Sequence, residues 1–217
     1  MTEATEFMKV IHAGWENNAI YILHDGDDTV IIDPCEDSEK FIKYLEQINC
    51  QNLRILLTHG HEDHISAIPG LMKRYKDSKI LIAEQDLPFL TDPELNGSSD
   101  TRKPINLVRY TPKFQKISPD EKIIIGRYSL EVFPTPGHTP GSVIFIDDEH
   151  KCAYTGDTLF RETIGATHFK GGDPGEMQKS LIKIVKRIPS DYALYPGHGN
   201  STTMEHEKAM NLYLQDI

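Results

Sequence analysis

The sequence predicts an α/β fold, and three observations carry that prediction. Short apolar or alternating runs bounded by turn residues recur along the chain, as strands do; amphipathic stretches with helix-start signals interrupt them; and four strand-like runs end in tight turns carrying His or Asp. The 217 residues, 38% hydrophobic and 26% charged, suffice for one sizeable domain with a buried core. No linker or low-complexity tract divides them, so one domain over residues 1–217 is expected.

Alternation in "EFMKVIHAG", "NAIYILHDG" and "DTVIIDP" predicts three successive strands, with "HDGDD" turning between the last two. In "DSEKFIKYLEQIN", Phe41, Ile42, Leu45 and Ile48 share one helical face and Asp37 is suited to cap the start. "LRILLT" predicts a short strand, "ISAIPGLMKRY" a helix with Pro69 in its first turn, and "KILIAE" another strand. From Leu87 to about Asp120, Pro, Gly and Ser signals replace periodicity, which predicts a long excursion with room for one short helix. Loops of this length in a compact domain are usually functional or mobile.

Beyond it, "EKIIIG" and "YSLEVFPTPGH" predict a hairpin around Gly126-Arg127, and "SVIFIDDEHKCAYTGD" a second around Asp147 to His150. The helix "PGEMQKSLIKIVKRI" is signalled by Asp173 at the cap, Pro174 at the first position and Glu176 completing a capping box; Met177, Leu181, Ile184 and Ile188 lie on one side. A last strand, "YALYPGHG", leads into a terminal helix, "TTMEHEKAMNLYLQ", with Thr202 and Glu205 as its box.

The formal net charge of −10 argues against phosphate-backbone binding, which rests on neutralising phosphates with Lys and Arg, so no nucleic-acid partner is expected. Cys35, Cys50 and Cys152 are widely spaced and odd in number, which speaks for a reducing compartment rather than a disulfide framework. "MTEATEFMKV" lacks the basic start and apolar core of a signal peptide, and no apolar run approaches the roughly 20 residues that span a bilayer. A cytoplasmic protein without membrane attachment is therefore expected.

The chemistry concentrates in "LLTHGHEDH", "FPTPGH", "AYTGD" and "LYPGHG", where five of the ten histidines sit beside Asp63 and Asp157. His59 and His61 are two apart, so on an extended segment they point the same way and can share one ion; Asp63 and His64 follow where the chain turns into a helix and can face a second. Neutral imidazole with carboxylate suits zinc, iron or manganese, and the lack of thiolate argues against a closed structural zinc site.

These motifs resemble those of the metallo-β-lactamase superfamily. Its HxHxDH signature is matched by His59-Gly60-His61-Glu62-Asp63-His64, and its later elements by His138 in "TPGHTPGS", Asp157 in "TGDTLF" and His198 in "PGHG". "GDTLFRETIGATHFKGGD" and "LYPGHG" are similar to the short glyoxalase II-like group over most of the chain. The resemblance implies a four-layered αββα sandwich of two mixed β-sheets with metals at one edge. It implies His59, His61 and His138 as ligands of one divalent ion, and Asp63, His64 and His198 as ligands of a second, with Asp157 bridging. Glu62 falls at the variable position of the signature and is expected to be exposed rather than ligating.

Two ions held roughly 3.5–4 Å apart would generate a bridging hydroxide for attack on a polarised carbonyl. The expected activity is hydrolysis of a small thioester such as an S-(hydroxyacyl)glutathione, with two divalent ions, zinc foremost and iron or manganese as alternatives. Asp63 and Asp157 are the candidate catalytic carboxylates. His168, Lys170, Arg161 and Asn18 are the candidate substrate residues. The chain departs from the glyoxalase II pattern twice: only 19 residues follow His198, and Ala166 stands where relatives usually carry a cation for a substrate carboxylate. Alternatives on the same fold are a mono-iron persulfide dioxygenase held by His59, His138 and Asp157, a lactone, ester or phosphodiester hydrolase, and a non-catalytic metal-binding paralogue. A β-lactamase ranks lower because those enzymes generally lack the bridging aspartate.

Overall fold

Alternating burial turns the first third of the chain into a meander. In the computed structural model, which describes residues 8–14, 17–36, 38–215 and 217, strands Lys9–Ala13 (β1), Asn18–Asp25 (β2) and Asp28–Ile32 (β3) pair antiparallel in order. Helix Ser38–Gln47 (α1) then crosses to Asn52–Leu56 (β4), which lies parallel to β3. The short helices Glu62–Ile65 (α2) and Ile68–Arg74 (α3) lead to Lys79–Ala83 (β5), parallel to β4. Phe114–Ile117 (β6) closes this first sheet in the order β1-β2-β3-β4-β5-β6.

The second sheet is built mostly from hairpins. Lys122–Ile125 (β7) and Tyr128–Pro134 (β8) pair around Gly126-Arg127, with Gly126 at φ +53°, the left-handed conformation such a two-residue turn demands. Val143–Asp147 (β9) and Cys152–Gly156 (β10) form the next hairpin. Leu159–Phe160 (β11) and Thr163–Ile164 (β12) make a separate two-stranded ribbon. After helix Pro174–Arg187 (α4), Ala193–Pro196 (β13) joins β10 in parallel, Thr202–Thr203 (β14) borders it, and Met204–Met210 (α5) comes next. The order is β14-β13-β10-β9-β8-β7.

Period-two patterning sorts the side chains into layers. Along β2, Ala19, Tyr21 and Leu23 face the space between the sheets, while Ile20 and Ile22 face Phe41 and Leu45 of α1 and Ile68 and Leu71 of α3. Along β9, Val143 and Phe145 point to the same inter-sheet core, and Ile144 and Ile146 pack on Met177, Leu181 and Ile184 of α4 and Met204 of α5. Strands buried on both faces read as continuous apolar runs, which is why "KILIA" shows no alternation. The result is the expected four-layered αββα sandwich of two mixed sheets.

Several local expectations shift. Asp37, the expected cap of α1, lies outside the described residues. The excursion after β5 contains two 3-10 helices, Glu84–Leu90 and Val108–Lys113, and also strand β6. β6 left little signal because only Ile117 of its four residues is buried. At α4, Asp173 caps Gly175 and Glu176 as expected, but the Glu176 carboxylate pairs with Lys179 and the Asp173 N–H donates to the Gly137 carbonyl, so the box is not closed. At α5 the cap is Thr203, one residue later than expected; Thr202 instead donates to Glu207 at 2.6 Å.

Candidate metal centre

Strand direction delivers the candidate ligands to one edge. β8 and β10 are both antiparallel to β9, and β13 is parallel to β10, so all three finish on the same side of the second sheet. His138 comes after β8, Asp157 after β10 and His198 after β13. From the first sheet, β4 runs on into Leu57 and Thr58, whose carbonyl accepts from the Val143 N–H at 2.9 Å. That bond joins the two sheets at the edge where His59 and His61 emerge, and α2 adds Asp63 and His64.

Seven side chains meet there. His59, His61 and His138 form one group, and Asp63, His64 and His198 another; within each, potential ligand atoms lie no more than 4.8 Å apart. Asp157 stands between them, with Oδ1 3.3 Å from His64 Nε2, and Oδ2 3.6 Å from His138 Nε2 and 3.3 Å from His198 Nε2. His61 Nδ1 and His138 Nε2 converge to 2.8 Å. His59 Nε2 and Asp157 Oδ1 are buried with no hydrogen-bond partner among the described residues. Orphaned nitrogen and oxygen atoms within one His/Asp cluster fit divalent cations, because leaving such groups unsatisfied is otherwise costly. Glu62 is half-buried and belongs to neither group.

A surrounding layer fixes which ring nitrogen is offered. His138 Nδ1 lies 2.7 Å from the Ala166 carbonyl, which can only accept, so Nδ1 carries the proton and Nε2 is free to ligate. His64 Nδ1 sits 3.1 Å from Asp33 Oδ2, and Asp33 also accepts from the Thr58 N–H and hydroxyl. Asn18, 2% exposed, donates its amide to the Asp63 carbonyl at 2.9 Å and to Asp63 Oδ2 at 3.1 Å. Asp86, fully buried, accepts from the Gly60 N–H at 3.0 Å and from the Gly141 N–H and Thr139 hydroxyl, each at 2.7 Å. It ties the loop of His59 and His61 to the loop of His138. A Cβ on Gly197 would stand 2.2 Å from Asp157 Oδ1 and 2.8 Å from His64 Cε1, so only glycine admits both side chains.

Burial, reinforced by neighbouring imidazoles, pushes His59 down and His61 down to about 3, which keeps both rings in the neutral form that binds metal. Asp63 and Asp157 are raised by burial but lowered further by His64 and His198 beside them, and the net effect holds both ionised. Burial pushes Asp86 up to about 6 against its three donors.

The four candidate substrate residues are placed differently. Asn18 sits behind Asp63 with its amide engaged. Arg161 is half-exposed and paired with Glu162 at 3.6 Å. His168 is exposed, its ring against Phe169 at 4.4 Å. Lys170 lines the 460 Å³ cleft over the ligands and is paired with Glu94. Phe169, 5.8 Å from the His61 ring and 6.2 Å from that of His138, forms an apolar wall of the same cleft. Sequence reasoning missed Asp33 and Asp86. Asp33 had a signal, an acid directly ending an apolar strand, whereas "AEQDLPFL" has none.

A family profile described as Metallo-beta-lactamase superfamily matches residues 13–198. Hydroxyacylglutathione hydrolase GloC of Haemophilus influenzae is 31% identical over 200 residues, covering 92% of this chain and 93% of that protein. Among solved structures, BLEG-1 B3 metallo-beta-lactamase superposes with a TM-score of 0.86 at 33% identity, over 95% of this chain and 99% of that one. TTHA1623 in a di-iron-bound form gives 0.81 at 28% identity, over 94% and 99%.

Proposed function

The chain belongs to the metallo-beta-lactamase superfamily, and from that premise we propose that it is a binuclear metallohydrolase acting on a small thioester. The observation that carries this reading is Asp157, whose two oxygens reach histidines of both ligand groups. The identity with GloC supports an acyl thioester as the substrate class.

In this reading His59, His61 and His138 hold one ion and Asp63, His64 and His198 the other, with Asp157 shared. Held there, two divalent ions would supply a deprotonated water near neutral pH and polarise the scissile carbonyl. Water oxygen adds to the carbonyl carbon, the C–S bond breaks, and a carboxylic acid and a thiol leave. Asp63 Oδ2, held by the Asn18 amide and 3.1 Å from His198 Nε2, is placed to take the water's proton and pass it to the departing sulfur. A thiol of pKa about 8.5 leaves largely without help, so no separate strong acid is required. Phe89 and Phe169 flank His61, and Phe169 gives the cleft an apolar wall there.

A second reading, β-lactam hydrolysis, is favoured by the 33% identity with BLEG-1. Elemental analysis together with assays on S-lactoylglutathione, simpler thioesters and nitrocefin separates them. We expect about two zinc ions per chain and turnover of thioesters. One iron per chain with oxygen uptake on glutathione persulfide, or turnover of nitrocefin alone, would sink the thioesterase reading.

A further inference from the structure

The excursion after β5 is firmly built. Asn96 and Ser98, 1% and 0% exposed, form a polar knot. Asn96 donates to the carbonyls of Phe89 and Ile105 at 2.8 and 3.0 Å and accepts from Ser98, while the Ser98 hydroxyl accepts from the Ile105 N–H at 2.7 Å. Residues 98–105 are thus pinched at the base into a closed loop, and Leu107, just past the pinch, is anchored in the core. The knot is fastened to the metal-binding motif itself, because the Asn96 carbonyl accepts from the Glu62 N–H at 2.9 Å. Ordering a loop in this way costs conformational entropy, which buried hydrogen bonds must offset, so its position is specified rather than incidental.

The loop presents cations. Arg102 and Lys103 are exposed, and with Arg109 they line a 710 Å³ groove. None of the three makes an ion pair among the described residues, whereas Lys170, which lines the cleft over the candidate ligands, is paired with Glu94, and Arg161 with Glu162. Glu36, Glu62, Ser66 and Thr101 line this groove and also the adjoining 240 Å³ cleft that reaches Asp63, so the two are continuous. The carboxylates Glu36 and Glu62 therefore lie at the junction, and the cations line only the outer groove.

We propose that Arg102, Lys103 and Arg109 form the subsite for an anionic group on the thiol half of the substrate, a carboxylate or a phosphate. The proposal rests on the thioesterase reading for the identity of the substrate and explains how a chain with Ala166 in place of a cation can select an anionic thioester. Like charges gathered in one groove, Arg102 and Lys103 from the loop and Arg109 from the 3-10 helix after it, repel one another until an anion sits among them, and guanidinium groups suit carboxylate and phosphate oxygens.

The test uses the zinc-loaded full chain and one acyl group, lactoyl, on three thiols: N-acetylcysteamine, which is neutral, glutathione, which carries carboxylates, and coenzyme A, which carries phosphates. The readout is the ratio of kcat/KM for each anionic thioester to that for the neutral one. In Arg102→Ala/Lys103→Ala/Arg109→Ala this ratio is expected to fall about tenfold or more, mainly through KM, and in the wild type 0.5 M NaCl should compress it. Whether glutathione or coenzyme A shows the larger fall identifies the source of the anion. A ratio unchanged by the substitutions overturns the subsite. If the wild type turns over no thioester, the hydrolase reading fails, and calorimetric binding of free glutathione and coenzyme A decides the subsite: binding lost in the triple variant supports it, and no binding or equal binding overturns it.

Discussion

Asp86 stands behind the candidate ligands and ties the loop of His59 and His61 to that of His138. Its oxygens receive three donors, and asparagine of the same shape would turn an NH2 group toward one of them. Asp86→Asn is expected to weaken zinc binding by about 10–100-fold, measured by competition with a chelator. An unchanged affinity would mean that the two ligand loops hold their places without it. Gly197→Ala should abolish binding at the Asp63 group, because the new methyl overlaps Asp157 and His64. The cysteines make a contrasting case. Burial pushes Cys35 and Cys152 up to about 12 and raises Cys50. At pH 8 a thiol of pKa 12 is thiolate about one part in 10⁴, so Ellman's reagent should titrate neither Cys35 nor Cys152 until denaturant is added. At this scale the candidate ligands were legible, since residue types able to ligate stand in recognisable patterns. The contacts of Asp33, Asn18 and Asp86 were not, since their partners lie 25 to 55 residues away in sequence.

α4 shows the same division for whole elements. Its start was readable from "DPGE" because a cap is a local device, with the Asp173 carboxylate accepting from Gly175 and Glu176 at 2.8 and 3.0 Å. Asp173→Ala is expected to cost about 1 kcal/mol, read as a fall in urea midpoint at unchanged slope. Its end is secured by tertiary contacts: Arg187 bonds Glu131 at 2.6 Å and Asp148 at 2.8 Å, and Tyr192 donates to Asp148 at 2.7 Å. Burial raises the Asp148 carboxyl, but the Arg187 and Tyr192 hydrogen bonds outweigh it and hold the pKa below the ordinary value. A depressed carboxyl contributes stability that is present above the unfolded pKa, near 4, and lost as pH falls through the folded value. Arg187→Ala should therefore lower stability at pH 7 and lose less of it between pH 5 and 3 than the wild type does, measured by urea midpoints at each pH. β6 marks the opposite limit. With one buried residue, it is a strand only because β5 offers it an edge.

Across the whole molecule, the candidate ligands divide between the two halves of the sandwich. His59, His61, Asp63 and His64 come after strands of the first sheet, and His138, Asp157 and His198 after strands of the second. Ions held between them would cross-link the layers, so zinc at about 100 times its Kd should add roughly 2.7 kcal/mol to the stability of the apo chain. Calorimetric scans at increasing zinc would show a rising Tm, and a flat response would mean that the site does not couple the sheets. By itself the sequence determined the α/β class, the strands and helices with local signals, and the seven candidate ligands, because period, capping and ligand chemistry are properties of neighbouring residues. The tertiary structure alone decided which nitrogen the His138 and His64 rings present, the buried carboxylate that joins the loops of His59 and His138, and the exposed cations Arg102 and Lys103 on a pinched loop tied to the Glu62 backbone. Those features depend on which distant strand ends share an edge, and that is settled only by packing two sheets face to face.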